Sequence, residues 1–494
     1  MAGVGFALKK VFRGGDSVLG ALRGYSLTAV VTEGPMVLMI VLLLTLRALM
    51  ARDGAVYRTR EEFLFLMTYV MIFSLILSNT VLLFVNRFIS DCIYQERLQD
   101  VLPAFFGVVF FLLAAGAPAA LLYLLTLPVD WAVRGAVLTL FCVLLILWIQ
   151  IAFLSAIKRY EYVLLGFVAG VAGALGLAAL LLGLGVAPLP GALWGAALGF
   201  TLMLFLYMAQ LLAHYPPGRW DLLVFFPALE RYRVLVVTGL CLALGLYTHN
   251  FVFWASAYRD KIYPTGVFCT RYDVPCFFAT LTILPMLVQF VVGLETRFEV
   301  KNRAYFDAVL YGGRLEEIRA AKQELCTVLY TELAHMMEVQ LIVTVAAVTF
   351  VGNFLQTVGL DERMAGTYRL LCCGYCLYGF VKCGTVILLY FDDRRGALRA
   401  SALFLGLSTA LSLATLPLDS GWWGIGFLLA GAATALYLML RIRRYLNELE
   451  YHVFCEQPLF AQPQQGVLSR IQERFAGAER ESAQRRTLRE EDDQ

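Results

Sequence analysis

Apolar residues in this chain gather into twelve long runs parted by short polar stretches, near 22–49, 62–89, 100–127, 131–157, 160–184, 189–213, 231–257, 272–296, 326–357, 364–391, 397–418 and 421–446. A bilayer core about 30 Å thick needs roughly 20 apolar residues per helical crossing, and each run is long enough. None shows the ten-residue alternation of barrel strands, and Leu, Ala and Gly dominate, so the crossings read as helices. The pattern predicts an all-α polytopic membrane protein with about twelve transmembrane helices in two six-helix lobes. The lobes divide at "HYPPGRWDLLVFFPALE", the most Pro-rich stretch between long runs. This places an N-terminal lobe at 1–213, a cytoplasmic linker and hinge at 214–230, and a C-terminal lobe at 231–455 with a cytoplasmic loop at 297–325. A partly disordered cytoplasmic tail follows at 456–494. Two such lobes suit a transporter built from parallel repeats around a central path.

Composition agrees: 60% of the 494 residues are hydrophobic and 16% charged, with a mean hydropathy of +0.72. Basic loops resist translocation, so Lys and Arg counts orient the chain. With the N-terminus inside, the inner segments hold 22 of these residues and the outer loops 9. Both termini are therefore expected in the cytoplasm of a plasma-membrane protein. The net charge of +3 reflects that topology and argues for no nucleic-acid partner. The basic start "MAGVGFALKKVFRGG" precedes a run too long for a secretory signal, which reads as a retained first span.

Charges inside the spans are few, and each costs a few kcal/mol on insertion scales, so each marks either a functional site or a buried pair. In "VVTEGPMVLMI", Glu33 is followed by Gly34 and Pro35, and Pro35 frees carbonyls that only neighbouring helices or a wet cavity can satisfy. Lys382 lies at similar depth in the other lobe. The two either pair across the lobes, or Glu33 is protonated while Lys382 snorkels. Glu332, His335 and Glu338 form an ionisable patch, read either as a titrating site or as an interfacial polar face. Asn79, Gln150, Gln289 and Asn353 either line the path or bond between helices. The candidate transport path is thus Glu33, Pro35, Asn79, His335, Glu338 and Lys382.

Eleven cysteines lie mostly in apolar runs, as small hydrophobes. Cys269 and Cys276 flank a predicted external loop, where they are either bridged or two free thiols. The "CCGYC" at 372–376 lacks His or acidic neighbours and reads as helix packing, not a metal site. The loop "LETRFEVKNRAYFDAVLYGG" offers Arg297, Arg303, Tyr305 and Asp307 to a partner, or simply caps the lobe. In the tail, Val467, Leu468, Ile471 and Phe475 fall on one helical stripe, either a docking helix or part of a solvated tail. No P-loop, Gly-rich nucleotide fingerprint or nucleophile elbow occurs, and Asp392-Asp393 is weak ground for sugar-nucleotide chemistry. The chain reads as a transporter without cofactor, not an enzyme.

The start "MAGVGFALKK", the Gly-Pro kink, "FVNRFISDCIYQER", "LETRF", "LLYFDDRRGAL" and "LEYHVFCEQPL" resemble the PelG family, up to about Leu459. The resemblance implies a twelve-helix, two-lobed fold of the multidrug/oligosaccharidyl-lipid/polysaccharide exporter superfamily. It implies export of a partly acetylated, amino-sugar-rich cationic polymer, with a cytoplasmic glycosyltransferase and membrane partners that respond to cyclic di-GMP. Glu33 and Met36 stand where the family carries serine and tryptophan, and an acidic residue suits a cationic glycan. Two other readings stay open: an ion-coupled flippase or drug antiporter of the same superfamily, and a membrane scaffold that recruits a polysaccharide synthase.

Overall fold

Inside a bilayer the backbone must satisfy its own hydrogen bonds, and a chain without barrel-type alternation does so by helix alone. The computed structural model describes residues 34–157, 160–218, 221–351, 361–455 and 466–475. Six long helices come first: α1 (Gly34–Arg52), α2 (Tyr57–Tyr94), α3 (Val101–Leu125), α4 (Trp131–Ala156), α5 (Tyr160–Gly183) and α6 (Pro188–His214). The short α7 (Phe226–Arg231) leads into α8 (Arg233–Ala255). A two-residue hairpin then pairs β1 (Asp260–Lys261) antiparallel with β2 (Val267–Phe268). There follow α9 (Thr270–Thr280), α10 (Leu284–Gly293), α11 (Glu299–Leu310), α12 (Leu315–Ala346), α13 (Glu362–Tyr390), α14 (Arg394–Thr415), α15 (Ile425–Asn447) and α16 (Leu449–Phe454). A last helix, α17, spans 467–475.

Among the described residues, eleven stretches are long and apolar enough to cross a membrane, with α9 to α11 joined in one of them. The 19 residues of α1 bring the fold to about twelve spans. Packing sorts them into two bundles. In the first, α5 lies on α6, α6 and α2 on α4, and α1 on α5; in the second, α8 lies on α14, α13 on α15, and α9 on α13. The chief joint between them is α2 against α8. One end of this joint carries the linker after α6, and the other carries the β-hairpin.

Lipid tails are as apolar as leucine, so membrane helices gain contact by letting backbones approach at small residues. The α5–α6 seam does this. Gly195 and Gly199 face Ala178 and Ala174 so closely that an added Cβ on either glycine would collide with the α5 backbone. Further along, Gly166 admits the ring of Tyr207, whose hydroxyl donates to the Val163 carbonyl at 2.5 Å.

The linker is packed: the Leu222 carbonyl presses on Gly107 of α3, and Gly218 on the carbonyl of Gln99. Phe225 and Phe226 are buried, with ring centroids 6.2 Å from Phe84 and 5.4 Å from Phe111 respectively. The apolar content of "DLLVFFPALE" outweighs the Pro216-Pro217-Gly218 signal, because burying those side chains stabilises more than solvating them. The cytoplasmic segment expected at 297–325 is a helical hairpin. There α11 packs on α12, the turn uses Gly312 at φ +77°, and Glu317 accepts from the Arg314 amide at 2.9 Å.

Replacing Gly199 with Leu forces α5 and α6 apart. We expect a loss of at least about 1–3 kcal/mol, the usual cost of overpacking, read as a lowered Tm of the purified protein in detergent. Leu at Gly176, whose Cβ would meet open space, is expected to change it little.

Candidate functional site

The α2–α8 joint has different chemistry at its two ends. At the hairpin end Tyr69 of α2 stacks on Trp254 of α8, centroids 4.9 Å apart and planes 4° from parallel. It also stacks on Tyr123 of α3 at 5.8 Å and donates its hydroxyl to the Val267 carbonyl of β2 at 2.6 Å. Midway, Gly239 of α8 lies against the carbonyls of Asn79 and Thr80. At the linker end Tyr232 donates to Asp91 at 2.6 Å, and Asp91 also pairs with Arg87 at 3.2 Å. The guanidinium carbons of Arg394, Arg231 and Arg87 stand 4.7, 5.4 and 5.5 Å from the centre of the Tyr232 ring. One end is thus a set of aromatic faces, the other an ionic clamp.

Trp254 is fixed by a buried carboxylate. Asp273 of α9, 8% exposed, accepts from the Trp254 indole at 2.7 Å, from the Asn250 amide at 2.7 Å and from the Cys269 amide at 2.8 Å. Beside it, Cys276 lies 3.1 Å from the Tyr375 hydroxyl, and His249 Nδ1 lies 2.8 Å from the Tyr272 hydroxyl. His249 Nε2 is buried without a partner among the described residues. A carboxylate this buried is retained only where donors surround it, and here three converge on it. The sequence reading missed it by starting the eighth span at 272 with Asp273 at its edge. The signal was the consecutive Thr248, His249 and Asn250 inside an apolar run.

The expected residues fall elsewhere. Glu33 lies outside the described residues; Pro35 sits in the first turn of α1. Asn79 turns its amide back on its own helix, donating to the Leu75 carbonyl at 2.8 Å. His335 and Glu338 contact each other at 3.5 Å on the open side of α12. Lys382 is half-buried on α13 and forms no ion pair with a described residue. Arg297 pairs with Glu332 at 2.7 Å, and Arg303 with Glu299 one turn before it at 2.8 Å. Asp307 is exposed, whereas Tyr305 is fully buried. Tyr305 therefore braces the α11–α12 hairpin and is not offered to a partner. Of the two readings open for Cys269 and Cys276, the structure has the free thiols, since α9 starts at Thr270 and separates them by two helical turns, about 10 Å along the axis. The Asp392-Asp393 pair is architectural. Asp393 accepts from the Gly396 amide at 2.9 Å and from Arg441 of α15 at 2.7 Å, while Asp392 takes Arg394 through both oxygens at 2.8 Å.

This architecture has the fold seen in solved MATE-family structures. An outward-facing multidrug resistance MATE family transporter of the MOP superfamily superposes with a TM-score of 0.60 at 13% identity, covering 86% of this chain and 96% of that one. An inward-facing multidrug resistance MATE family transporter of the MOP superfamily gives 0.54 at 15% identity, covering 82% and 95%, and a MATE in the bent conformation gives 0.58 at 12%, covering 89% and 98%. No curated protein sequence matches the chain. A family profile does, over residues 1–454: PelG, described as "Putative exopolysaccharide Exporter (EPS-E)". The chain belongs to the PelG family.

Removing the Asp273 carboxylate as Asp273→Ala leaves three donors unpaired in a dry interior, each costing about 1–3 kcal/mol. We expect a large drop in Tm and a smaller one for Asp273→Asn, which keeps one acceptor oxygen. A second expectation concerns Glu450, which pairs with Lys322 of α12. Partial burial pushes its carboxyl up, but the Lys322 hydrogen bond and nearby positive charge prevail and hold it below the usual carboxylate range. Its contribution is therefore present above the ordinary carboxyl pKa and fades as pH falls through the lowered value. Amide exchange of 449–454, corrected for intrinsic rate, should rise on acidification and lose that rise in Glu450→Gln.

Proposed function

We propose that this transporter moves a growing Pel-like, amino-sugar-rich polysaccharide from cytoplasm to exterior, fed by a cytoplasmic glycosyltransferase and membrane partners of a synthase complex. In this reading the linker end and both termini face the cytoplasm, in keeping with the Lys and Arg distribution. The observation that carries it is the aromatic stack of Tyr69, Tyr123 and Trp254 at the hairpin end, within a chain of the PelG family. Aromatic faces present amphipathic sugar rings with an apolar surface at low entropic cost. When the bundles part, the same faces that close the joint become available to the glycan. Glu33, His335, Glu338 and Lys382 enter as charges along the route, and synthesis of the polymer supplies the drive.

A second reading, an ion-coupled flippase of lipid-linked oligosaccharide, is favoured by one observation, the buried Asp273 constellation. It requires a gradient of protons or sodium; polymer export does not.

In cells that carry the glycosyltransferase, Trp254→Ala and Tyr69→Ala are expected to cut secreted polymer at least about tenfold at equal membrane abundance, while Tyr69→Phe, which keeps the ring, retains most of it. Secretion unchanged by both alanines sinks the polymer route. Glycan translocation in vesicles that needs an ion gradient and no glycosyltransferase selects the flippase.

A further inference from the structure

The tail helix α17 is bound to the linker. Glu230, in α7, accepts at Oε2 from the Ser469 hydroxyl at 2.9 Å and from the Ser469 amide at 3.3 Å, and its carboxylate also receives the amides of Val467 and Leu468. A carboxylate at the first turn of a helix meets both its unpaired N–H groups and its positive dipole end. Further contacts, some beyond that first turn, add to this one. Gln472, one turn on, donates to Asp221 of the linker at 2.7 Å. Leu468 and Ile471 pack on the core, and Ser469 is only 6% exposed. Gly466 passes so close that a Cβ there would collide with the Glu230 carboxylate.

The linker these contacts grip connects directly to the ionic clamp. Glu230 is two residues from Tyr232, which holds Asp91 of α2, and Phe225 and Phe226 pin α7 to the first bundle. The PelG match ends at residue 454, so α17 lies beyond the matched region. We propose that α17 is a latch: docked, it holds α7 in place and keeps Tyr232 on Asp91, and its withdrawal loosens the linker end of the α2–α8 joint.

Hydrogen exchange read by mass spectrometry on the full chain in lipid nanodiscs tests this. The doublet Leu468→Asp/Ser469→Ala undocks α17 without touching the linker, and Glu230→Ala removes the acceptor from the other side. For both we expect faster exchange in 467–475 together with an increase of at least about tenfold in 225–232, with α4 unchanged as the control for folding. Two results overturn the latch: α17 exchanging like free peptide in the unaltered protein, or α17 released in the variants while 225–232 stays as protected as before.

Discussion

A bilayer core supplies no hydrogen-bond partner, so every polar group the chain carries inward must bring its own. The helices discharge most of that requirement along their axes, and what remains decides which side chains meet. Asp273 sits where three donors converge, and two of the three come from α8. Without them a carboxylate so buried would face a desolvation cost of several kcal/mol. The same requirement favours the glycine and alanine seam of α5 and α6, because close backbone approach is the contact still open to surfaces that lipid already solvates.

From that constraint follows the asymmetry of the joint between bundles. At the hairpin end the groups meeting across α2 and α8 are ring faces, held in orientation by a buried carboxylate that stays within its own bundle. At the linker end they are Asp91, Arg87, Tyr232 and Arg394, groups that tolerate water and lose little by exchanging one partner for another. Parting the first end exposes apolar surface and needs something to cover it, whereas parting the second needs only solvent. In the proposed function, a sugar polymer, apolar on its ring faces and polar at its rims, covers that first surface.

The fold was legible because span length is set by bilayer thickness, which leaves its mark on any sequence that obeys it. The site was less so. A search for charges at mid-span finds Glu33 and Lys382 but passes over Asp273, which stands at the start of a run and looks like loop. Its partners Asn250 and Trp254 lie 23 and 19 residues away across a hairpin, a distance that no local pattern encodes. Likewise Pro216-Pro217-Gly218 signals a turn truthfully, while the burial of Phe225 and Phe226 against α2 and α3 is a tertiary fact. The stripe of Val467, Leu468, Ile471 and Phe475 shows that the tail can form a helix. It does not show that Glu230, 239 residues earlier, receives its first turn.

The motifs that resemble PelG gain a physical meaning from where they fall. In "FVNRFISDCIYQER" the charged pair is Arg87 and Asp91, which engage Tyr232; in "LETRF" Arg297 reaches Glu332 of α12. In "LLYFDDRRGAL" Asp393 ties α14 to Arg441 of α15, and in "LEYHVFCEQPL" Glu450 holds Lys322. These charges tie neighbouring elements together, and the first and third motifs meet at the linker end, where Tyr232 touches both Asp91 and Arg394. At that end α7 leads straight into Tyr232, which stands between Asp91 of α2 and Arg394 at the start of α14. A chain that binds its tail at α7 therefore binds it beside side chains of both bundles.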